Sequence, residues 1–234
     1  MINKIQSISY FFNPSIDFKS SDIDDLSRVS KFLEKNFTDY EIIIALDVVN
    51  YKSYDFLVKK INTYPNIRLF SLESGINENL IYKLIFKCSV GDYLIIHDPQ
   101  MKYLDKIKDI EIGLAKNNKQ ICIGVGTNLE NSFVYNLFRG FLTNILKKLQ
   151  YVLPSNSSQF RIFSRSLMNF FVLQNSSLSL NFLFLGNRRI LMEVYKYELL
   201  NPRKYKRSFF KSINKFTKIL DSNQSFLINL IFKL

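Results

Sequence analysis

The segment Gly91–Gln100, GDYLIIHDPQ, places polar side chains directly after a short apolar run. The run Tyr93–Ile96 is too short for a helix, and the glycine before it and the proline after it favour a buried strand. In an open α/β sheet, chemistry takes place beyond the carboxyl ends of such strands. His97 and Asp98 are therefore candidate catalytic residues, and Asp92 is a third by its proximity. The chain has one histidine, and a hydrogen-bonded structural role is the alternative for it.

Basic residues are concentrated toward the carboxyl terminus. The 234-residue chain has a formal net charge of +12, and residues 196–234 contain nine Lys or Arg against two acidic residues. An excess of positive charge favours an anionic partner such as a phosphate group, a nucleic acid or an acidic membrane surface. Aromatic residues do not form a motif interleaved with these basic residues, which argues against an RNA-binding module. We therefore expect no nucleic acid among the partners.

Residues 209–220 have the periodicity of an amphipathic helix. Apolar residues recur at helical spacing, while Lys211, Lys215 and Lys218 fall on the opposite side. Four more cations precede this segment between residues 203 and 207. The combination favours a helix that lies on an anionic membrane surface, with burial of its apolar face against the rest of the chain as the alternative.

Composition and length indicate one large folded domain. The sequence is 47% hydrophobic and 15% aromatic, which excludes disorder for most of the chain. Apolar segments alternate between strand and helix patterns, as in a parallel, doubly wound sheet. No signal peptide is recognised, and no apolar run approaches the ~20 residues of a membrane span. Strands are predicted at 8–13, 41–46, 67–71, 93–96 and 120–125, and helices at about 20–36, 54–63, 79–88 and 104–116.

The segment from Ser89 to Gln100 resembles the A-x-G-D-Y-(apolar)-D-x-D segment of family 2 glycosyltransferases, which have the GT-A fold. In that family the two Asp carboxylates hold a divalent metal ion that neutralises the diphosphate of a nucleotide-sugar donor. Asp98 matches the first carboxylate, and Gln100 occupies the position of the second. The resemblance thus implies a Mg²⁺ or Mn²⁺ site at Asp98 and Gln100, weakened because an amide oxygen carries no charge.

Two further strand ends resemble nucleotide-binding positions of the same family. The family has P-x-y-N-E after its first strand, and residues 12–15 of this chain keep the asparagine as Asn13. It has an Asp-Asp-Gly-Ser cluster after its second strand, and residues 46–50 keep one aspartate as Asp47. The resemblance therefore implies that Asn13 and Asp47 bind the nucleotide.

The second half of the chain resembles one branch of the family, the polyisoprenyl-phosphate glycosyltransferases related to dolichol-phosphate mannose synthase. Residues 153–165 are similar to its L-P-x-D-x-G-D-F-R-L-x-x-R segment, with amides in place of two acids. Residues 202–208 occupy the position of its R-x-x-G-x-S-K segment, and its transmembrane pair is not found in the sequence. The resemblance implies four residues that bind phosphate or the acceptor: Arg161, Arg165, Arg203 and Lys206. Surface charges are the alternative for the first two.

These features predict an α/β protein with a GT-A (Rossmann-like), mostly parallel sheet flanked by helices and with C-terminal amphipathic helices. We divide the chain into a GT-A-like domain, residues 1–202, and a basic amphipathic membrane-association segment, residues 203–234. The implied function is transfer of a sugar from a nucleotide-sugar donor to a polyprenyl-phosphate-type lipid or a glycan in cell-surface polysaccharide synthesis. The expected location is the cytoplasmic face of the membrane, as a peripheral protein.

A catalytically impaired protein with the same fold is the alternative. Four acids of the family are replaced, since positions 15, 100, 156 and 159 are Ser, Gln, Asn and Gln in this chain. Their loss removes much of the negative field that holds a divalent ion. Such a protein would act as a membrane-docked interaction subunit. Assembly as a homo-oligomer or with a membrane partner subunit is open in either case.

Overall fold

The computed structural model describes most of the predicted α/β region. The helix predicted over 54–63 lies mostly outside the described residues, and the predicted amphipathic segment over 203–234 lies entirely outside them. Within the part of the chain that is described, no helix has the length and apolar character needed to span a membrane. The described residues are 7–12, 20–47, 58–59, 63–64, 66–73, 76, 78–99, 101, 104–128, 140, 154, 156–173 and 190–200.

Seven strands and four helices lie within these ranges, and the elements predicted there are present with boundaries within two residues of the prediction. The strands are β1 (Ile8–Phe12), β2 (Tyr40–Asp47), β3 (Ile67–Leu72), β4 (Tyr93–Ile96), β5 (Ile121–Gly126), β6 (Ser157–Ser164) and β7 (Met192–Tyr197). The helices are α1 (Ser20–Asn36), α2 (Glu78–Cys88), α3 (Lys106–Lys116) and α4 (Arg165–Leu173).

The strands form one mixed sheet in the order β3-β2-β1-β4-β6-β5-β7. The first four in this order are parallel to one another, and β7 is parallel to β5. β6 runs antiparallel between β4 and β5. The predicted mostly parallel sheet is confirmed. Because β6 is reversed, its amino end lies beside the carboxyl ends of its neighbours.

Helices cover both faces of the sheet. One face packs against α1 and α3 through residues such as Leu33 and Leu114, and the other packs against α2 and α4 through Phe86 and Met168. All four residues of β4 are buried, as expected for a strand between two helical layers. Burying one large apolar side chain contributes roughly 1.5–3 kcal/mol, so packing holds β4 in place.

Helix α1 follows from the spacing of its apolar residues. Leu26, Val29 and Leu33 recur at intervals of three and four and are buried. At the end of the helix, the Asn36 side chain donates to the carbonyl oxygen of Phe32 at 2.8 Å. The helix returns the chain from the carboxyl end of β1 to the amino end of β2, which makes these two strands parallel neighbours.

The sheet has a topological switch point between β1 and β4. From β1 the chain adds β2 and β3 on one side, whereas β4 pairs with the other side of β1. In open α/β sheets the connections diverge where the strand order reverses, and ligands bind in the crevice that this creates beyond the carboxyl ends of the strands.

Candidate functional site at the carboxyl end of β4

His97 and Asp98 lie directly beyond the carboxyl end of β4, beside the switch point. The backbone N–H of His97 donates to the carbonyl oxygen of Phe11 at 2.9 Å, so the ladder between β1 and β4 extends past the strand. Both side chains are buried, with 3% of His97 and 1% of Asp98 exposed. Polar side chains are seldom buried this deeply without hydrogen-bond partners. Their partners therefore define the site.

Tyr197 holds the carboxylate of Asp98. The Tyr197 hydroxyl donates to Asp98 Oδ2 at 2.6 Å and lies 2.7 Å from Ser158 Oγ. A phenol has one hydroxyl proton, so it can donate one hydrogen bond. Because that hydrogen bond goes to the carboxylate, the Ser158 hydroxyl donates to the tyrosine oxygen. Asp98 follows β4, Ser158 lies at the start of β6 and Tyr197 ends β7. The contact thus joins three strands at one edge of the sheet.

Gly124 in β5 leaves the space for this contact. A Cβ atom at position 124 would lie 2.7 Å from both Ser158 Oγ and Tyr197 Cε1. Such distances are shorter than van der Waals contact, so any larger residue would push Tyr197 away from Asp98. The glycine is therefore part of the site although it contributes no functional group.

The imidazole of His97 bridges β4 and β1. Its Nδ1 lies 2.8 Å from the Tyr10 hydroxyl, and its ring stacks on Phe12 with centroids 4.8 Å apart. Burial lowers the pKa of His97 to about 3, with partial opposition from the Asp98 carboxylate. The ring is therefore neutral near pH 7 and is a poor general base there, which disfavours the catalytic role expected for it. Its Nε2 has no hydrogen-bond partner among the described residues.

Arg161 reaches the same end of the sheet from β6. It pairs with Ile96 in the ladder between β4 and β6, and its side chain is buried. The Nη1 group donates to the carbonyl oxygen of Ser158 at 2.9 Å. The structure thus brings Arg161 to the edge that carries Asp98, as expected, and its contact with phosphate stays a prediction.

Asp92 lies at the amino end of β4, away from Asp98. Its Oδ2 accepts hydrogen bonds from the backbone N–H of Ser7 at 3.1 Å and from the Ser7 hydroxyl at 3.2 Å. These contacts attach the chain that enters β1 to the start of β4. The prediction that Asp92 acts beside Asp98 is therefore corrected, because the whole length of β4 separates the two carboxylates.

Arg165 also lies at the amino end of β4. Its Nη1 donates to the carbonyl oxygen of Ser89 at 2.8 Å, and its Nη2 donates to that of Gly91. Because β6 is antiparallel, the step from Arg161 to Arg165 leads from one edge of the sheet to the other. The two arginines therefore lie at opposite edges of the sheet, and the contact of Arg165 with phosphate or the acceptor stays a prediction.

The remaining predicted site residues are not described at the level of side chains. Asp47 is the last residue of β2, which places its backbone at the same edge of the sheet as Asp98, but its side chain is outside the described part. Asn13, Gln100, Arg203 and Lys206 lie outside the described residues altogether. Their roles stay predictions.

Tyr197, Ser158 and Gly124 belong to the site but were not predicted from the sequence. Tyr197 is 99 residues from Asp98 along the chain, so no local pattern links them. The signal that existed is the alternation of Tyr195 and Tyr197 in the segment Met192–Tyr197, because a buried tyrosine hydroxyl needs a partner. That signal does not say which partner.

A cleft of about 400 Å³ lies at the opposite, amino end of the sheet. Its lining includes Asp92, Lys119, Gln120, Ser164 and Arg165. Two of these side chains are already engaged with backbone groups. Since ligands of open α/β sheets bind beyond the carboxyl ends of the strands, we place the candidate site at Asp98 and not in this cleft.

The described residues do not make up a divalent-metal site. Mg²⁺ and Mn²⁺ need several oxygen ligands, usually with carboxylates among them. The described side chains at the carboxyl end of β4 bring one carboxylate, Asp98, and its Oδ2 accepts the hydrogen bond from Tyr197. No group of three His, Cys, Asp or Glu side chains in the described ranges can hold a metal ion. Gln100 falls outside those ranges, and we route no reaction step through a metal.

Comparisons with known proteins find similarity in structure. No known protein family and no curated protein sequence matches the chain. One similar structure is glucosyl-3-phosphoglycerate synthase from Mycobacterium tuberculosis in complex with Mn²⁺, uridine diphosphate and phosphoglyceric acid, with a TM-score of 0.59, 12% identity, and coverage of 93% of this chain and 78% of that chain.

Two more similar structures broaden the comparison. A mannosyltransferase from Pyrobaculum calidifontis in complex with GDP-Man and Mn²⁺ has a TM-score of 0.52 and 12% identity over 72% of this chain and 47% of that chain. The 4-diphosphocytidyl-2C-methyl-D-erythritol synthase from Anaerococcus prevotii has a TM-score of 0.53 and 11% identity over 86% of this chain and 95% of that chain. The chain therefore has the GT-A-like, Rossmann-like fold that the sequence predicts. The polyisoprenyl-phosphate branch and the acceptor stay predictions.

Proposed function

We propose that the chain is a glycosyltransferase that binds a nucleotide-sugar at the carboxyl edge of its sheet. The acceptor in this proposal is a lipid-linked group of the polyprenyl-phosphate type or a glycan, in cell-surface polysaccharide synthesis. One observation carries the proposal: Asp98 is buried at the end of β4, beside the switch point, and is held there by Tyr197. The fold is similar to that of transferases solved with uridine diphosphate or GDP-Man, which supports the same class of donor.

The proposed roles follow the strand ends. Asn13 follows β1 and Asp47 ends β2, and we assign both to the nucleotide base. We assign Arg161, Arg203 and Lys206 to the negative charge of the donor diphosphate or of an acceptor phosphate. In the reaction, the bond between the anomeric carbon and the diphosphate oxygen breaks, and the nucleoside diphosphate leaves with the bonding electrons. An acceptor oxygen bonds to the anomeric carbon. An ionised phosphate oxygen has no proton to lose, whereas the proton of a glycan hydroxyl passes to the departing diphosphate or to water.

Asp98 is the residue we assign to the donor itself. Its carboxylate oxygens accept hydrogen bonds, so they suit hydroxyl groups of the ribose or the sugar. The Tyr197 hydroxyl fixes the orientation of that carboxylate before the donor binds. A carboxylate fixed in advance loses less conformational freedom on binding.

A membrane-docked interaction subunit with the same fold is the second candidate. The amides at positions 100, 156 and 159, where the family has acids, favour it. The two candidates differ in one measurable property, since the enzyme binds nucleotide-sugars and the interaction subunit does not.

Calorimetric titration of the full chain with UDP-glucose and GDP-mannose, each in the presence of Mn²⁺ and of EDTA, tests the proposal. We expect at least one of them to bind, and Asp98→Asn to weaken that binding by about tenfold or more, because an amide replaces the carboxylate. Asp109→Asn is the matched control, since the Asp109 side chain is 73% exposed. Thermal melting checks that both variants fold. Absence of binding at millimolar ligand would favour the interaction subunit.

We further propose that the protein is peripheral on the cytoplasmic face of the membrane, through the basic segment 203–234. Each cation close to an anionic lipid surface contributes about 1 kcal/mol. Sedimentation with anionic vesicles should therefore occur at low salt and be lost at 1 M salt, where the Debye length falls to about 3 Å. Equal sedimentation at both salt concentrations would contradict an electrostatic attachment.

A further inference from the structure

One ring nitrogen of His97, beside the switch point between β1 and β4, has no hydrogen-bond partner among the described residues. Nδ1 contacts the Tyr10 hydroxyl, whereas Nε2 is buried and has no hydrogen-bond partner in the described part of the chain. Buried polar atoms without partners are uncommon in native proteins, and each one needs an explanation. His97 lies between β1 and β4 at the switch point, which is where a ligand of this kind of sheet binds.

Tyr10 decides which nitrogen of His97 carries the proton. Burial raises the pKa of the Tyr10 phenol, which therefore keeps its proton at neutral pH. Within the described ranges, the partner of that hydroxyl is His97 Nδ1, at 2.8 Å. When the phenol donates to Nδ1, one polar hydrogen is left over, the one on Nε2. The opposite tautomer leaves both the phenol proton and Nε2 without partners, so the first arrangement is the stable one.

The surroundings hold this donor in one orientation. The ring stacks on Phe12, and the backbone N–H of His97 is bonded to Phe11. Rotating the ring to exchange its nitrogens would break the contact with Tyr10. Nε2 is at the end of the ring farthest from the β4 backbone, so the N–H group projects away from the strand.

We infer that the Nε2–H group of His97 donates a hydrogen bond to an uncharged oxygen of the bound nucleoside, a carbonyl of the base or a hydroxyl of the ribose. The inference rests on the proposed function, because it needs a nucleotide-sugar at this edge of the sheet. The neighbouring Asp98 carboxylate repels a phosphate group, which is why an uncharged acceptor fits this position better. Burial excludes water from the new hydrogen bond and strengthens it.

The chain contains one histidine, so labelling histidine with nitrogen-15 gives the signals of His97 alone. In the ligand-free full chain we expect Nε2 to be protonated and Nδ1 to be bare. Adding UDP or GDP, whichever calorimetry shows to bind, should shift the Nε2–H resonance. Uridine and guanosine carry a base and a ribose, whereas ribose 5-phosphate has no base. A shift of the resonance with the nucleoside alone therefore indicates a base contact, and a shift with both compounds indicates a ribose contact. Pyrophosphate alone should leave the resonance in place.

Two amide substitutions separate the roles of the ring nitrogens. The side-chain amide of an asparagine at position 97 lies near the position of Nδ1 and keeps an acceptor for the Tyr10 hydroxyl. The side-chain amide of a glutamine reaches the position of Nε2 and keeps a donor there. His97→Asn should weaken UDP or GDP binding about tenfold, the effect of one lost hydrogen bond. His97→Gln should weaken it by less than about threefold. Thermal melting of both variants separates a loss of folding from a loss of binding.

Each result supports or overturns the inference. A protonated Nδ1, a shift caused by pyrophosphate alone, or an Asn variant that binds as tightly as the parent overturns it. If a nucleotide binds by calorimetry but leaves the Nε2–H resonance unchanged, the inference fails while the proposed function stands. If no nucleotide binds the parent chain, the proposed function fails and the inference falls with it.

Discussion

The two ends of β4 use polar residues in opposite ways. At the amino end, the buried carboxylate of Glu41 accepts hydrogen bonds from the Ser9 hydroxyl at 2.6 Å and the Val90 N–H at 2.7 Å. Arg68 Nη1 donates to its other oxygen at 2.8 Å. Each of these donors belongs to the protein itself. The Glu41 carboxylate is therefore satisfied within the protein.

At the carboxyl end, one polar group is held in place without a partner among the described residues. Asp98 is oriented by Tyr197, while His97 Nε2 has no partner in the described ranges. A satisfied network stabilises the fold, whereas a positioned but incomplete one is what a binding site needs. The segment Gly91–Gln100 looks like one motif in the sequence, but it divides into a structural half and a half that we propose binds the ligand, which we call the binding half.

The strongest test of this division is Gly91→Ala at the amino end. A Cβ atom at position 91 would lie 2.4 Å from the backbone nitrogen of Ser9 and 2.6 Å from the carbonyl carbon of Ile8. These atoms belong to the β1 backbone and cannot rotate away. We expect the substitution to lower the free energy of unfolding by about 3 kcal/mol or more, or to prevent folding, as measured by chemical denaturation.

Gly140→Ala is the matched control for this variant. A Cβ atom there meets no other atom within 4 Å, so the free energy of unfolding should change by less than about 1 kcal/mol. If Gly91→Ala were as stable as the parent, β1 would not approach the start of β4 as closely as the structure shows.

Glu111 in α3 is a second buried carboxyl group to compare with Glu41, because its Oε1 has no partner among the described residues. Burial raises the pKa of Glu111 from 4.5 to about 7, with Lys108 opposing the shift and Asp92 adding to it. Between pH 4.5 and about pH 7, Glu111 is therefore more often protonated in the folded state than in the unfolded state. Stability from this group is therefore present below pH 4.5 and is lost as the pH rises through about 7.

Glu111→Gln should remove this pH dependence. At pH 8 the variant should exceed the parent by about 2–3 kcal/mol in free energy of unfolding, since each unit of pKa corresponds to about 1.4 kcal/mol. Near pH 4 the two should be similar. Asp109→Asn, on the exposed side of the same helix, is the control. A difference between Glu111→Gln and the parent that stays constant from pH 4 to 8 would mean that Glu111 does not titrate in this window.

The smallest effect on stability is expected from Tyr197→Phe at the carboxyl end. The variant loses the hydrogen bond to Asp98 but keeps the ring contact with Phe160, so the free energy of unfolding should fall by about 1–2 kcal/mol. Nucleotide affinity measured by calorimetry should fall as well, because Asp98 is no longer oriented. Tyr195→Phe, on the ring stacked against Tyr197, is the control. Unchanged affinity in Tyr197→Phe would separate this hydroxyl from the binding half of the strand.

The sequence by itself predicted the class of fold and the helices and strands that the structure describes up to residue 126. Periods of apolar residues are local properties, so the end of α1 and both boundaries of β4 were predicted where the structure shows them. The rule that ligands bind beyond strand ends pointed to Asp98. The predicted strand Tyr93–Ile96 already lay between Asp92 and Asp98. At about 3.3 Å per residue, an extended strand separates these two residues by about 20 Å. Proximity along the chain was the wrong measure for grouping them.

Tertiary structure alone decided which distant residues complete the site. The reversed direction of β6 sends Arg161 to one edge of the sheet and Arg165 to the other, and no local pattern encodes that direction. Tyr197 meets Asp98 because β5 and β6 place β7 at the right position in the sheet and Gly124 leaves room. Strand order depends on how the whole chain packs its apolar faces, and it is therefore not written in any single segment.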